Sequence, residues 1–181
     1  PSQPNGFLYG RSDADIGDIL PNIISFLQTQ ITQGSLIICS PAKRCQKTCD
    51  IVLPHAICRQ THDELWEQSF GDWDGVAFSL LPDIGTLTGK ELVEFSPPNG
   101  ESFNDLCKRV HLILEHICLN EKAENITFFV HAGVIRAALA LAFGSQTAAL
   151  KCEIDTLSVT KLRHLGGQDF SVMSVNKSAD K

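Results

Sequence analysis

Two short apolar runs in this 181-residue chain each lead into residues suited to handling an anion. Residues 35–39 (SLIIC) run into SPAKR, which puts Arg44 near the start of the next element. Residues 126–130 (ITFFV) run into HAG, which puts His131 at the junction. Continuous apolar runs of this kind read as strands buried on both faces of a parallel sheet. Parallel strands would bring Arg44 and His131 over one sheet edge, where helix N-termini offer free N–H groups and partial positive charge. The arginine adds a planar fork that matches phosphate. Together these are the parts of an anion pocket. Glu67, in LWEQSFGDWDG, stands beside Trp66 and near Phe70, and apolar surroundings would raise its pKa and suit it to proton transfer. Singly, each has an ordinary reading: a surface arginine, a hydrogen-bonded structural histidine, a solvated carboxylate.

The elements that must position these groups alternate. Residues 1–15 are irregular, with Pro4, Asn5, Gly6 and Gly10 as turn formers. Residues 16–33 have helical apolar spacing broken near Pro21, which sits best in a first helical turn. A helix is expected from Pro41 to about Val52, then a loop or broken helix over 60–75 with a turn at Gly71. Residues 76–100 read as irregular. Ser102 is an N-cap with Asp105 three positions on, and a stripe from Phe103 to Ile117 predicts a helix to about Leu119. Residues 133–143 predict an apolar helix stopped by Gly144, and 157–162 with 170–175 predict a hairpin around Gly166-Gly167. The expected fold is a three-layer α/β/α sandwich with a mainly parallel central sheet, in one domain over residues 1–175 and a polar tail at 176–181. Sites in such sheets form beyond the carboxyl ends of the strands.

Composition narrows the function. The net charge of −6 supplies no basic field for nucleic acid or anionic lipid, and no apolar run is long enough to span a bilayer. The seven cysteines include no CxxC pair and no zinc-like spacing, so they read as free thiols in a reducing cytoplasm. Exposed apolar groups leave room for a homodimer without specifying one.

Four segments, in order, resemble the motifs of one family. SPAKRCQKT is similar to SPxxRxxQT, LWEQSFGDWDG to LxExxFGxWEG, PPNGESFNDLCKRV to PPGGESxxDxxxRV, and FFVHAGVIRAALA to xxTHGGVIRxLLA. These are motifs of the histidine phosphatases, the phosphoglycerate-mutase-like enzymes. FLYGRSDADI also resembles the turn that follows that family's RHG motif, so the likeness runs from about Phe7 to Phe143. The resemblance implies attack on phosphorus by the RHG histidine and a phosphohistidine intermediate. It implies Glu67 as acid/base, Arg44 as phosphate clamp and His131 as the second pocket histidine, with the Ala132 N–H as a backbone donor and no metal or cofactor. Tyr9, Arg11 and Glu101 are candidates to line the substrate pocket.

The chain departs from the pattern. It contains no RHG, and the strand carrying it is expected to lie upstream of Pro1. Val130 stands where a Thr or Ser is usual, and Ala132 where a glycine is. His111 and His116 fall in the helix after Ser102 and read as structural. No long insertion of the glycolytic mutase kind is present, and the GES element with LYGRSD is similar to the α-ribazole phosphatase branch. The resemblance therefore implies a phosphatase for a small phosphorylated metabolite, with α-ribazole 5′-phosphate of cobalamin synthesis as the leading substrate. The alternatives are a mutase-type phosphotransferase, a non-catalytic phosphate-binding relative, and a thiol hydrolase pairing Cys39 with His131.

Overall fold

The structure, a computed structural model, describes residues 6–55 and 59–179. Pro4, Asn5 and Cys58 lie outside the described residues. The order of elements is α1 (Pro21–Gln30), β1 (Leu36–Cys39), α2 (Lys43–Val52), β2 (Arg59–Thr61), α3 (Gly89–Glu94), α4 (Phe103–Asn120), β3 (Ile126–Phe129), α5 (Ala132–Phe143), α6 (Gln146–Ala149), β4 (Val159–Gly166) and β5 (Asp169–Lys177). Short 3₁₀ turns occupy Asp63–Leu65, Gly71–Trp73 and Phe78–Leu80.

β1 is central in a parallel sheet of order β2-β1-β3, with Leu36 opposite Ile126 and Ile37 opposite both Arg59 and Thr127. Alternation sends its side chains to two layers. Ile38 and Leu36 face the main core built on α4 and α5. Ile37 and Cys39 face the smaller cluster with Cys49 and Leu53 at the end of α2. The expected α/β/α layering and parallel sheet are what forms. The β4–β5 hairpin pairs antiparallel as a separate sheet and packs on the main core through Leu162, Val172 and Val175.

α4 anchors that core. Ser102 and Asp105 form a complete capping box, and Phe103, Leu106, Cys107, Val110, Ile113 and Ile117 recur at helical spacing on its buried face. Each large apolar side chain so buried stabilises the fold by roughly 1.5–3 kcal/mol. His111 donates from Nε2 to the Ala137 carbonyl at 2.8 Å, the structural role expected of it.

Four differences from the sequence reading have physical causes. α1 begins at Pro21 rather than residue 16, because the residue before a proline is pushed out of the helical region and Leu20 is extended at ψ 144°. β2 and α3 arise where loop or irregular chain was expected, and α6 in a stretch to which the sequence assigned no element. β3 is only half-buried, because it lies at the sheet edge rather than inside it. β5 continues through Asn176 and Lys177, shortening the expected tail; the Asn176 Oδ1 accepts from the Asp155 N–H at 2.7 Å.

Candidate functional site

The turn from β1 into α2 supplies the first wall. Ser40, fully buried at the strand end, donates its N–H to the Phe129 carbonyl at 2.9 Å and so stitches the ends of β1 and β3 together. Its Oγ accepts from the Ala42 N–H at 3.3 Å and lies 2.8 Å from His131 Nε2. With the Ala42 N–H on one lone pair, the hydroxyl can either donate to Nε2 or accept from it, and the tautomer of the neutral ring follows that choice. Burial, followed by the charges of Arg44 and Arg109, holds the His131 pKa down to about 3. His131 is thus a neutral imidazole at ordinary pH. The Cys45 thiol packs 3.6 Å from its Nε2 and 3.7 Å from its Nδ1.

His131 is the N-cap of α5, and Ala132 is its first helical residue. The Ala132 N–H therefore belongs to the first turn, whose donors have no intrahelical acceptor. The Gly133 N–H donates to Glu67 Oε2 at 3.1 Å, and the Gln68 N–H donates to Oε1 of the same carboxylate at 2.9 Å. Glu67 is 8% exposed. Desolvation raises its pKa, opposed by those two N–H groups and by the charges of Arg44 and Arg109. A helix N-terminus favours an anion there while burial favours the neutral acid, which is how a carboxyl becomes able to gain and lose a proton. Gly133 is required at this point: a Cβ would press into the Glu67 carboxylate and come within 3.0 Å of Leu106 Cδ2.

Arg44, in the first turn of α2, donates from Nη1 to the Ser12 carbonyl at 2.9 Å and from Nη2 to the Gly10 carbonyl at 2.6 Å. Two of its five N–H groups are thereby engaged, which aims the fork without exhausting it. The loop that holds it is itself held. The N–H groups of Gly10, Arg11 and Ser12 all donate to the Asp74 carboxylate, at 2.9, 2.8 and 2.7 Å. The turn before Asp74 is tight, with Gly71 at φ 52°, a left-handed conformation that favours glycine.

The sequence-derived residues do not all converge. Arg44, Glu67, His131 and Ala132 gather where β1 and β3 end and α5 begins. Glu101 is engaged by protein partners: Arg109 at 2.8 and 2.9 Å, the Ser69 N–H at 2.8 Å, and Arg11 at 3.8 Å. Burial works against its charge, but the Arg109 bonds and the Ser69 N–H outweigh it and hold its pKa below the usual carboxylate range. Tyr9 lies in the segment bridged to Ala77, its ring centroid 6.2 Å from that of Phe7. Cys39 faces away, into the cluster with Cys49, and its interaction with Cys49 and its burial push its thiol pKa up. That geometry removes the thiol hydrolase pairing, since the sulfur beside His131 belongs to Cys45.

Ser40, Gly133 and Arg109 complete the site and were not singled out from sequence. Each lies inside a quoted motif, so the signal was present; what sequence lacked was which residue each would touch. Two clefts, of about 500 Å³ between residues 15–19 and α2 and about 340 Å³ beside α3 and α6, contain none of Arg44, Glu67 or His131. Among the described residues no three His, Cys, Asp or Glu side chains are grouped to hold a metal ion, and no helix is long and apolar enough to cross a membrane.

Comparison with known proteins bears on the fold and the family. The mycobacterial glucosyl-3-phosphoglycerate phosphatase superposes with a TM-score of 0.81 at 19% identity, covering 96% of this chain and 92% of that one. The α-ribazole phosphatase of Shigella flexneri gives 0.76 at 22% identity, with 96% and 89% covered. At such identities the likeness is one of fold. A bifunctional protein of Mycobacterium tuberculosis is 25% identical over 120 residues, 64% of this chain, which spans only 33% of that relative's length. The model of the histidine phosphatase superfamily (branch 1) matches residues 26–178, and the chain belongs to that superfamily.

Proposed function

We propose that this chain carries the phosphate clamp and the acid/base of a phosphatase that hydrolyses a small phosphomonoester through a phosphohistidine. One observation carries the reading: a buried carboxyl, Glu67, rests on the first turn of α5 beside a neutral, buried His131. In the first step a histidine nitrogen bonds to phosphorus, the P–O bond to the substrate breaks, and Glu67 gives its proton to the leaving oxygen. In the second, Glu67 takes a proton from water as the water oxygen bonds to phosphorus and the P–N bond breaks. Alcohol and phosphate are the products. Arg44 and the Ala132 N–H bind the phosphoryl oxygens, and the ring N–H of the neutral His131 donates toward the same group.

The nucleophile comes from an Arg-His-Gly strand outside these 181 residues. Among the described residues β3 pairs only with β1 and β4 only with β5, yet Ile126 and Phe128 of β3 and Leu162 of β4 cover one core. The hydroxyl of Ser158, at the foot of β4, is buried with no hydrogen-bond partner among the described residues. An added strand on these edges would extend the sheet and supply partners.

Two phosphatases among the structural neighbours act, by name, on small phosphorylated metabolites, one of them α-ribazole phosphate. α-Ribazole 5′-phosphate, an intermediate of cobalamin synthesis, is our leading substrate. The test is phosphate release by the full-length protein from α-ribazole 5′-phosphate, 3-phosphoglycerate and simple alkyl phosphates, together with detection of an acid-labile phosphoryl group on the protein. Release with Glu67→Gln inactive supports the reading. Binding of phosphate without release from any of them would favour a non-catalytic relative.

A further inference from the structure

We infer that Arg109 is a positioning residue for Glu67, acting from α4 on the backbone of residues 64–67. The inference rests on Glu67 being the acid/base proposed above. Arg109 has five N–H groups and all five are engaged. Nε donates to Glu101 Oε1 at 2.8 Å and Nη2 to Glu101 Oε2 at 2.9 Å, a two-point fork that fixes the guanidinium plane. The remaining three hydrogens go to carbonyls: Nη1 to Glu64 at 2.6 Å and Trp66 at 2.8 Å, Nη2 to Glu67 itself at 2.9 Å. Its side chain is 16% exposed, so these bonds are little contested by water.

Elsewhere the segment is held by the buried Leu65 side chain and by the Glu101 backbone, whose carbonyl accepts from Gln68 Nε2 at 2.7 Å and whose N–H donates to the Ser69 carbonyl at 2.8 Å. Between β2 and the turn at Gly71 it makes only one 3₁₀ turn, Asp63–Leu65, and joins no sheet. Glu101, the anchor of Arg109, also accepts from the Ser69 N–H at 2.8 Å. The chain from 64 to 69 is therefore gripped on both sides of Glu67 by one ion pair. The carboxylate at the end of that grip meets two fixed donors, the N–H groups of Gln68 and Gly133. The alternative is that Arg109 only ties a helix to a loop for stability. Against it, all three of its carbonyl partners lie within the four residues that end at Glu67. Lysine cannot replace it, having three donors and no planar fork.

The experiment uses the full-length protein with Arg109→Lys, and Arg109→Gln beside it to guard against a fold defect peculiar to one variant. Amide hydrogen exchange gives the first readout, independent of turnover. Protection of Gln68 and Gly133 should fall by at least about tenfold while that of Ile113, mid-α4, is unchanged. The second readout is kcat/KM, which reports the first phosphoryl transfer. With an alkyl phosphate it should fall roughly 100-fold, and with 2,4-dinitrophenyl phosphate, whose leaving group needs no proton, by less than about threefold. Unchanged exchange at Gln68 and Gly133, or equal losses on the two substrates, overturns the inference. Glu67→Gln is the control: if it loses equally on both substrates, the acid/base reading of Glu67 fails, and the exchange data still decide whether Arg109 holds the segment.

Discussion

Gly133→Ala separates the stability of this fold from its chemistry. Gly133 is the second residue of α5, and its N–H bonds Glu67 Oε2 at 3.1 Å. A methyl there would overlap the Glu67 carboxylate and stand 3.0 Å from Leu106 Cδ2. Two terms oppose each other in stability. Alanine is favoured over glycine in a helix by about 0.8–1.0 kcal/mol. Overpacking a filled site costs about 1–3 kcal/mol. The atom struck hardest is the end of a rotatable side chain, so the carboxylate swings away and the cost stays near the lower limit. The net change should be a loss of about 0–2 kcal/mol, or a few degrees in Tm for a domain of this size. Under the proposed mechanism, catalysis has no such compensation. Glu67 must move by about 1 Å and lose a donor, and a misplacement of that size costs roughly 100-fold in rate. Calorimetry and turnover of an alkyl phosphate by the full-length protein give both numbers. A variant that melts within a few degrees of the parent and keeps full activity would refute the placement of Glu67 as acid/base. A collapse of stability would show instead that the carboxylate cannot yield.

Three other perturbations have determined directions. Arg44→Ala removes donors to the Gly10 and Ser12 carbonyls as well as the phosphate clamp proposed above; titration with orthovanadate should show affinity reduced by roughly 100-fold, and unchanged affinity would remove Arg44 from the site. Glu67 has a folded pKa raised by burial above its ordinary 4.5, so the folded state holds its proton to higher pH and ionisation costs stability as pH rises from there. The Tm of Glu67→Gln should therefore gain on the parent between pH 4.5 and neutrality, and a constant difference would contradict it. His131 behaves oppositely: the unfolded ring binds a proton below about 6.5 and the folded one only near 3, so the stability it contributes is complete above 6.5 and drains as pH falls. Replacing it with Asn should flatten the acid side of the stability profile, as read by melts from pH 7 to 4.

The fold was legible wherever apolar periodicity was strong. α4 follows its stripe and its Ser102 cap, and β1 follows a run too apolar to face water. β2 was not legible, because Arg59, Gln60 and Thr61 carry no apolar signal and become a strand only by pairing with β1. α3 had a readable cue in Thr88 and Glu91, which form a capping box, but six residues are too few for a period to show. In the site, residue types were readable and partners were not. Glu101 reads as a pocket carboxylate from its motif, yet its place on the fork of Arg109 depends on α4 crossing the 64–69 segment. Ser40 is an unremarked serine until β1 and β3 end side by side and bring His131 to it.

The open outer edge of β3 has a consequence for handling the protein. ITFF is aromatic and β-branched and half-buried, and among the described residues no strand pairs with its outer side. Proteins usually blunt such an edge with charge, proline or a bulge, and β3 has none of these. Residues 1–181 produced by themselves should therefore recruit strands from one another and form β-rich aggregates, with β3 as the template. A short peptide able to lie along β3 would act as a stopper, keeping the material dispersed at concentrations where it otherwise clouds.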